Sequence, residues 1–330
     1  MDSLTQVVLG ASVAAVCVPK ADRRKAIMAG AILGTLPDLD VLIDYGDDVS
    51  NFTYHRGFSH SWFMLLPFAV GVWFVLHRLW EPVKQAPRPW FYAIALALLT
   101  HPMLDAHTVY GTQLFWPIPI APEMWSTVFI IDPLYSVPLL VGVLCALFKP
   151  TQAFSKGALV SGLVLSSLYL GWTWTAKTIA EREAIATLNR DISHHQVLST
   201  PTPFNSLLWR IVVLEDDHYL EGYYAIHDQD RPIEFVSHKR NTHLINQARA
   251  IESVQRLAWF TRGFMKAEIV DQQLVIADIR MGFKGKYIFT HAVAEPSSND
   301  QEIWRPIQSA QLQTQYGLQD LSFVWDRLTL

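Results

Sequence analysis

Three short stretches carry the residue types that could do chemistry: Pro37-Asp38-Leu39-Asp40, His55-Arg56-Gly57-Phe58-Ser59-His60-Ser61 and His101-Pro102-Met103-Leu104-Asp105. Carboxylates beside imidazoles are the ligand set of a divalent ion such as Zn²⁺, Mn²⁺ or Fe²⁺. His101 and Asp105 stand four apart, so a continuous helix turns both to one face. Asp38 and Asp40, two apart, point the same way from an extended or turn backbone. His55 and His60 are five apart across Gly57 and make no simple helical pair, so at most one ligates while the other supports it or faces substrate. The planar fork of Arg56 suits a phosphate or carboxylate. Asp38, Asp40, His60, His101 and Asp105 are therefore the candidate metal ligands or their immediate supports. His55 is the candidate acid/base and Arg56 the candidate anion clamp.

Each stretch alone has a blander explanation: a turn, a His–carboxylate hydrogen bond in helix packing, an interfacial loop. Their joint placement at the outer ends of expected helices favours a site. His107 is expected to be exposed or to stand behind a ligand. Asp132 is either another intramembrane functional group or the start of a helix. His194 and His195 are adjacent, point apart on a helix, and are set aside.

The elements that must position these residues follow from composition. Of the 330 residues, the first 176 hold only 10 Lys/Arg and 11 Asp/Glu, against 16 and 19 in the remaining 154. An apolar, membrane-embedded half followed by a polar half is the natural reading. A disordered chain, a disulfide scaffold and a basic nucleic-acid binder are excluded, and no nucleic-acid partner is expected. Cys17 and Cys145 both lie in apolar runs, and no cleavable leader is expected at Met1-Asp2-Ser3. Six segments are long or apolar enough to be candidate membrane helices: Leu4–Val18, Ala26–Leu36, Trp62–Trp80, Trp90–Leu104, Pro133–Phe148 extended back through Ile130 and Ile131, and 157–176. The basic loops 19–25, 77–89 and 149–156 fall on one side of such a bundle. The poor loops 37–61 and 105–126 fall on the other, with the polar half, which the positive-inside rule makes extracytoplasmic.

The expected fold is an α-helical membrane bundle of about six membrane helices (1–176), a linker helix (177–200) and a soluble α+β domain with an antiparallel sheet (201–330). Hairpins are expected at 207–214/218–226 and 264–270/273–280, and a helix over 242–256. The histidines of the polar half show no ligand spacing, so a chain ending near Ala180 is expected to keep its metal.

At these residues the chain resembles the YdjM-type membrane-bound, metal-dependent hydrolases of the bacterial inner membrane. PDLD, HRGFSHS and the H-x-x-x-D-x-x-T-x-x-G stretch ending in Phe115-Trp116-Pro117 carry the likeness over roughly residues 1–120. Residues 201–210 look like the start of the second domain in longer members. The resemblance implies an inner-membrane location and hydrolase activity. Many members have His where this chain has Gln6, so either Gln6 is a neutral oxygen ligand or the site works with fewer histidines. The leading expectation is a metal-dependent hydrolase, zinc first with manganese or iron as alternatives. Its site would lie at the outer face of the lipid bilayer, acting on a lipid, lipid-linked or phosphoester substrate. The alternative is a non-enzymatic membrane transporter, or a scaffold displaying the second domain.

Overall fold

A computed structural model describes residues 1–189, 196–228, 231–283, 285–297, 303–313 and 318–329. In chain order its first helices are α1 (Ser3–Cys17), α2 (Arg23–Thr35), α3 (Asp48–Tyr54), α4 (Trp62–Leu79), α5 (Glu81–Gln85), α6 (Pro87–Ala106), α7 (Pro133–Phe148) and α8 (Ala153–Leu188), with 3-10 turns at Leu36–Leu42 and Phe58–His60. The strands are β1 (Val197–Pro201), β2 (Leu208–Leu214), β3 (His218–Ala225), β4 (Val236–Lys239), β5 (Met265–Val270), β6 (Gln273–Asp278), β7 (Gly282–Phe283), β8 (Lys286–Tyr287), β9 (Thr290–Pro296) and β10 (Trp304–Gln311). Helices α9 (Thr242–Gln247) and α10 (Glu252–Phe260) fall between β4 and β5, and α11 (Leu318–Thr329) follows β10. The chain forms two compact units. The first is Met1–Leu42 with Arg56–Trp174, and the second is Ile43–His55 with Thr175–Leu330.

In the first unit α1 packs against α2, α6 and α7. The α1–α2 crossing is close because it is made of glycine: a Cβ on Gly30 would stand 2.2 Å from the Gly10 carbonyl oxygen, and one on Gly34 2.7 Å from that of Gln6. Small residues let two backbones meet in this way in membrane bundles. Among the described residues two helices, not about six, have both the length and the apolarity to cross a bilayer: α4, with mean hydropathy 1.6, and α8, with 1.4. At 1.5 Å per residue α1, α2 and α7 reach only ~20–24 Å, short of a ~30 Å hydrocarbon core. Helix α6 has 20 residues but includes Arg88, His101 and Asp105, which lower its hydropathy. Ile130 and Ile131 lie outside α7. Asp132 starts that helix, its Oδ1 accepting the Leu134 N–H at 3.0 Å and its Oδ2 the Tyr169 hydroxyl at 2.7 Å.

The second unit holds two four-stranded antiparallel sheets, ordered β1-β2-β3-β4 and β10-β9-β6-β5, and a β7-β8 ribbon. Both expected hairpins are present, as β2/β3 and β5/β6. The expected single helix over 242–256 is broken at 248–251 into α9 and α10. Strand β1 begins at Val197, inside the stretch expected to be linker, while His194 and His195 lie outside the described residues. Buried Arg210 joins the sheets, its Nε donating to Glu221 at 3.0 Å and its Nη1 to the carbonyls of Ile279 and Arg280 at 3.0 and 3.2 Å.

Helix α3 is borrowed from the first half of the sequence and seated in this unit. Phe52 stacks on Phe289 with centroids 4.4 Å apart and meets Phe260 edge-on at 4.9 Å. The Arg256 guanidinium lies 3.4 Å from the centre of the Tyr54 ring. Ser309 Oγ accepts the Val49 N–H at 2.8 Å, and Asp48 Oδ2 accepts the Gln311 N–H at 2.7 Å.

His291 on β9 is buried beneath Phe52, their ring centroids 5.3 Å apart, and neither ring nitrogen has a hydrogen-bond partner. Burial drives its pKa down to about 4, against the opposing pull of Asp278, Asp48 and Asp47. A depressed folded pKa leaves the unfolded chain binding more protons, so this stability is whole above the unfolded value near 6.5 and is lost as pH falls toward about 4. The loss is on the order of 2–3 kcal/mol. His291→Phe, which removes two unpaired polar atoms from an aromatic nest, should raise the melting temperature of the second unit at pH 5 and flatten its decline between pH 6.5 and 4. A lower melting temperature at pH 5 would show that the imidazole has a partner after all.

Candidate metal centre

Helix α6 turns His101 and Asp105 to one side, the Leu36–Leu42 turn brings in Asp38, and the Phe58–His60 turn brings in His60. The ligand atoms of Asp38, His60, His101 and Asp105 lie within 4.8 Å of one another. His60 Nε2 is 3.1 Å from His101 Nε2, 3.3 Å from Asp38 Oδ1 and 3.2 Å from Asp105 Oδ2. His101 Nε2 is 3.4 Å from Asp38 Oδ1 and 3.3 Å from Asp105 Oδ2. Atoms bound at ~2.0–2.2 Å to a common ion stand ~3.0–3.6 Å from their neighbours, whether the ion is tetrahedral or octahedral. Five of the six separations among these four ligand atoms fall in that range, so the four residues could hold a divalent ion.

The hydrogen bonds behind the ligands assign the protons. The Gly34 carbonyl lies 2.6 Å from His101 Nδ1 and can only accept, so that nitrogen carries the hydrogen. Ser59 Oγ donates to Asp40 Oδ2 at 2.5 Å, which leaves it to accept from His60 Nδ1 at 2.9 Å. Both Nε2 atoms then face the same point as two carboxylate oxygens: protonated they donate to Asp38 and Asp105, and deprotonated they present lone pairs to a cation held there. Asp105 Oδ2 has no hydrogen-bond partner, whereas its Oδ1 receives the Met1 amino group, Gln6 Nε2 at 3.1 Å and Arg56 Nη2 at 3.3 Å. Asp38 stands outside the apolar helices. Burial disfavours its charge, yet hydrogen bonds from His101 and His60 hold its carboxyl well below the usual range, ready to ligate. It is also the open corner: its side chain is 24% exposed, against 0% for the other three.

The remaining candidates stand around this centre. Asp40 Oδ2 accepts the Arg56 N–H at 2.9 Å and the Ser59 hydroxyl, and lies 3.6 Å from His60 Nδ1, which puts it behind His60. Arg56 is buried, donates from Nη1 to Thr108 Oγ1 at 3.1 Å, and lies 4.9 Å from the centre of the Tyr110 ring. Its Nε has no partner. Gln6 orients Asp105 through its amide nitrogen, and its Oε1 has no partner. His55 ends α3 and belongs to the second unit. His107 is buried, not exposed, its Nδ1 2.9 Å from the Met103 carbonyl and its ring edge-on to Trp125. Asp132 takes no part. The Gly34 carbonyl was invisible to sequence reasoning because it belongs to no side chain. Ser59 was in view, inside HRGFSHS, without a role.

A family model for the YdjM inner membrane protein matches residues 1–180. The chain belongs to the YdjM inner membrane protein family. That match takes in all four clustered residues, the whole of α4 and α8 as far as residue 180. No curated protein and no solved structure matches the chain.

Two expectations follow for this YdjM-family chain. A methyl group on Gly34 would press on the Gln6 carbonyl and shift the acceptor of His101, so Gly34→Ala should weaken metal binding roughly 10- to 100-fold, as loss of other groups behind a ligand does. Competition with a chelator dye would measure it. Ending the chain near Ala180, which was expected to keep the metal, removes Phe260, Phe289, Ser309 and Gln311, which pack against or hydrogen-bond to α3, and α3 is joined along the chain to the turns carrying Asp38 and His60. The truncated protein should lose metal several-fold faster than the full chain in a chelator chase, and Phe52→Ala should lie between them.

Proposed function

We propose that this chain is a membrane-bound, metal-dependent hydrolase whose site is Asp38, His60, His101 and Asp105. The observation that carries the reading is the convergence of His60 Nε2 and His101 Nε2 with one oxygen each of Asp38 and Asp105, all within 4.8 Å of one another, Asp105 Oδ2 having no hydrogen-bond partner. Such a set suits a cation, and a divalent ion bound there would supply Lewis acidity and a more acidic water at neutral pH. The chain's own residues do the rest. Arg56 and Gln6 hold Asp105 by its other oxygen. Asp40 and Ser59 fix the tautomer of His60, and the Gly34 carbonyl that of His101. The unpartnered Arg56 Nε is the part of the guanidinium left to meet an anionic oxygen, which favours a lipid or phosphoester substrate.

Orientation follows from the two helices that can span. Helix α4 runs from the Phe58–His60 turn toward Arg78, Lys84 and Arg88. Helix α8 starts beside Lys149 and Lys156 and runs toward the second unit. Basic flanks stay in the cytoplasm, so the site end of α4 and the second unit are both extracytoplasmic.

A second reading has its own support. Four protein ligands complete a tetrahedron, and a closed tetrahedral zinc site is structural, whereas a six-coordinate manganese or iron ion keeps two positions open. On that reading the ion braces a scaffold that displays the second unit.

Elemental analysis of protein purified in detergent tests the proposal. About one ion per chain is expected, falling to background in Asp105→Asn and His60→Ala. Manganese or iron, with phosphoester or ester cleavage abolished by chelation and by Asp105→Asn, is the result expected of the enzyme. Metal-free wild-type protein overturns both readings, and tightly held zinc without hydrolysis overturns the first. Thiol labelling of Asp271→Cys in a Cys17→Ala, Cys145→Ala background should succeed from outside intact cells, and labelling only after lysis reverses the orientation.

A further inference from the structure

The open corner of the centre is bordered by large apolar side chains in solvent. In the Leu36–Leu42 turn, the residues beside Asp38 and Asp40 are Leu39, Val41 and Leu42, all exposed, the last two at 69% and 79%. Phe58, two residues before His60, is exposed as well. Single exposed leucines need no explanation, but four large apolar residues within four positions of ligands, on two separate turns, form a patch.

Phe58 leads from this patch to the exposed face of α4, a helix long and apolar enough to cross a bilayer. Phe58 meets the Trp116 ring edge-on at 6.3 Å. Phe115, next in the chain, meets Trp62 at 5.8 Å and Phe63 at 6.5 Å. The loop is tied to the start of α4 by the Ser61 hydroxyl donating to the Trp116 carbonyl at 2.6 Å and the Trp62 N–H donating to the Leu114 carbonyl at 3.0 Å. Beyond Phe63 the outer side of α4 is Met64, Leu66, Phe68 and Val70, all exposed on a helix of spanning length that is 11% buried. Aromatic and aliphatic side chains therefore lead from Phe58, two residues before His60, onto the exposed side of an apolar helix of spanning length. Tryptophan and phenylalanine at a helix start belong at headgroup depth.

We propose that Leu39, Val41, Leu42 and Phe58 insert into the lipid phase, so that the molecule reaching the Asp38 corner is a membrane amphiphile. Its acyl chain lies along Phe58, Trp116 and Phe115, and its headgroup lies at the metal centre. This deepens the hydrolase reading and rests on it for the substrate, while the inserted rim stands on exposure and continuity alone. The burial of apolar side chains in lipid supplies the binding, as for other interfacial anchors, and the arrangement excludes substrates that reach the site only from water.

The test places a small fluorophore on Leu39→Cys, Val41→Cys, Leu42→Cys and Phe58→Cys in the Cys17→Ala, Cys145→Ala chain. The protein is reconstituted in phosphatidylethanolamine–phosphatidylglycerol vesicles, with Phe68→Cys as the lipid-buried and Asp271→Cys as the aqueous reference. Nitroxide lipids labelled at the headgroup or on the acyl chain should quench the four rim positions several-fold more than they quench position 271. Aqueous iodide should quench them several-fold less. The rim should be shallower than position 68, quenched more by the headgroup nitroxide than by the chain nitroxide. Iodide quenching of all four rim positions equal to that of 271, without lipid quenching, overturns the inference. Metal content is measured on the same samples. Metal with no lipid contact rejects the rim and leaves the hydrolase reading standing, whereas lipid contact with no metal rejects the hydrolase reading and with it the assigned headgroup position. The substrate class is tested with dioleoyl phosphatidylglycerol in those vesicles against its short-chain, water-soluble analogue below its micelle concentration. Retention of the long-chain lipid through detergent washing of wild type but not of a Val41→Asp, Phe58→Asp double variant is expected. Equal retention by the two proteins overturns the acyl-chain path.

Discussion

Two imidazole nitrogens and two carboxylate oxygens meet at one point in the first unit, and a divalent cation there would satisfy all four at once. Two Asp carboxylates repel, the two imidazole Nε2 atoms lie 3.1 Å apart, and three of the four side chains are fully buried, where an unpaired charge is costly. Much of the first unit can be understood as support for this convergence. Each ligand spends its second polar atom on a group that fixes its direction: His101 on the Gly34 carbonyl, His60 on Ser59, and Asp105 on Gln6 and Arg56. The Arg56 guanidinium offsets one of the buried negative charges, and its own backbone N–H steadies Asp40, so one residue serves two of the three motifs.

That support depends on close backbone approach. The Gly34 carbonyl can reach His101 only because α2 lies nearly in contact with α1 along glycines, with no side chain between them. The same closeness accounts for the short, Gly- and Ala-rich helices, which would be poor bilayer spans and are good packing partners. Length and apolarity are concentrated instead in α4 and α8, whose apolar stretches are mostly exposed.

The second unit enters this scheme through α3. A segment that separates two ligand-bearing turns in sequence is seated among β9, β10 and α10 by Phe52, Val49 and Asp48. The second unit thus takes in a segment from the first half of the sequence while contributing none of the four clustered residues.

How much of this was legible beforehand can be judged residue by residue. The chemistry of the three motifs, the four-residue spacing of His101 and Asp105, the apolar-to-polar division and the hairpins β2/β3 and β5/β6 follow from residue type and periodicity, which are local properties. The number of spanning helices did not follow, because an apolar run looks the same whether lipid or another helix covers it. Nor did the separation of Asp38 from Asp40, which a two-residue spacing leaves equivalent until a 3-10 turn aims one at His60 Nε2 and the other behind its Nδ1. The role of Gly34 lies in a carbonyl, and the seat of α3 lies some 200 residues away along the chain, between Phe52 and Phe260. The sequence by itself determined which atoms could bind an ion. The tertiary structure alone decided which of them do meet, because convergence is set by long-range packing that no local spacing encodes.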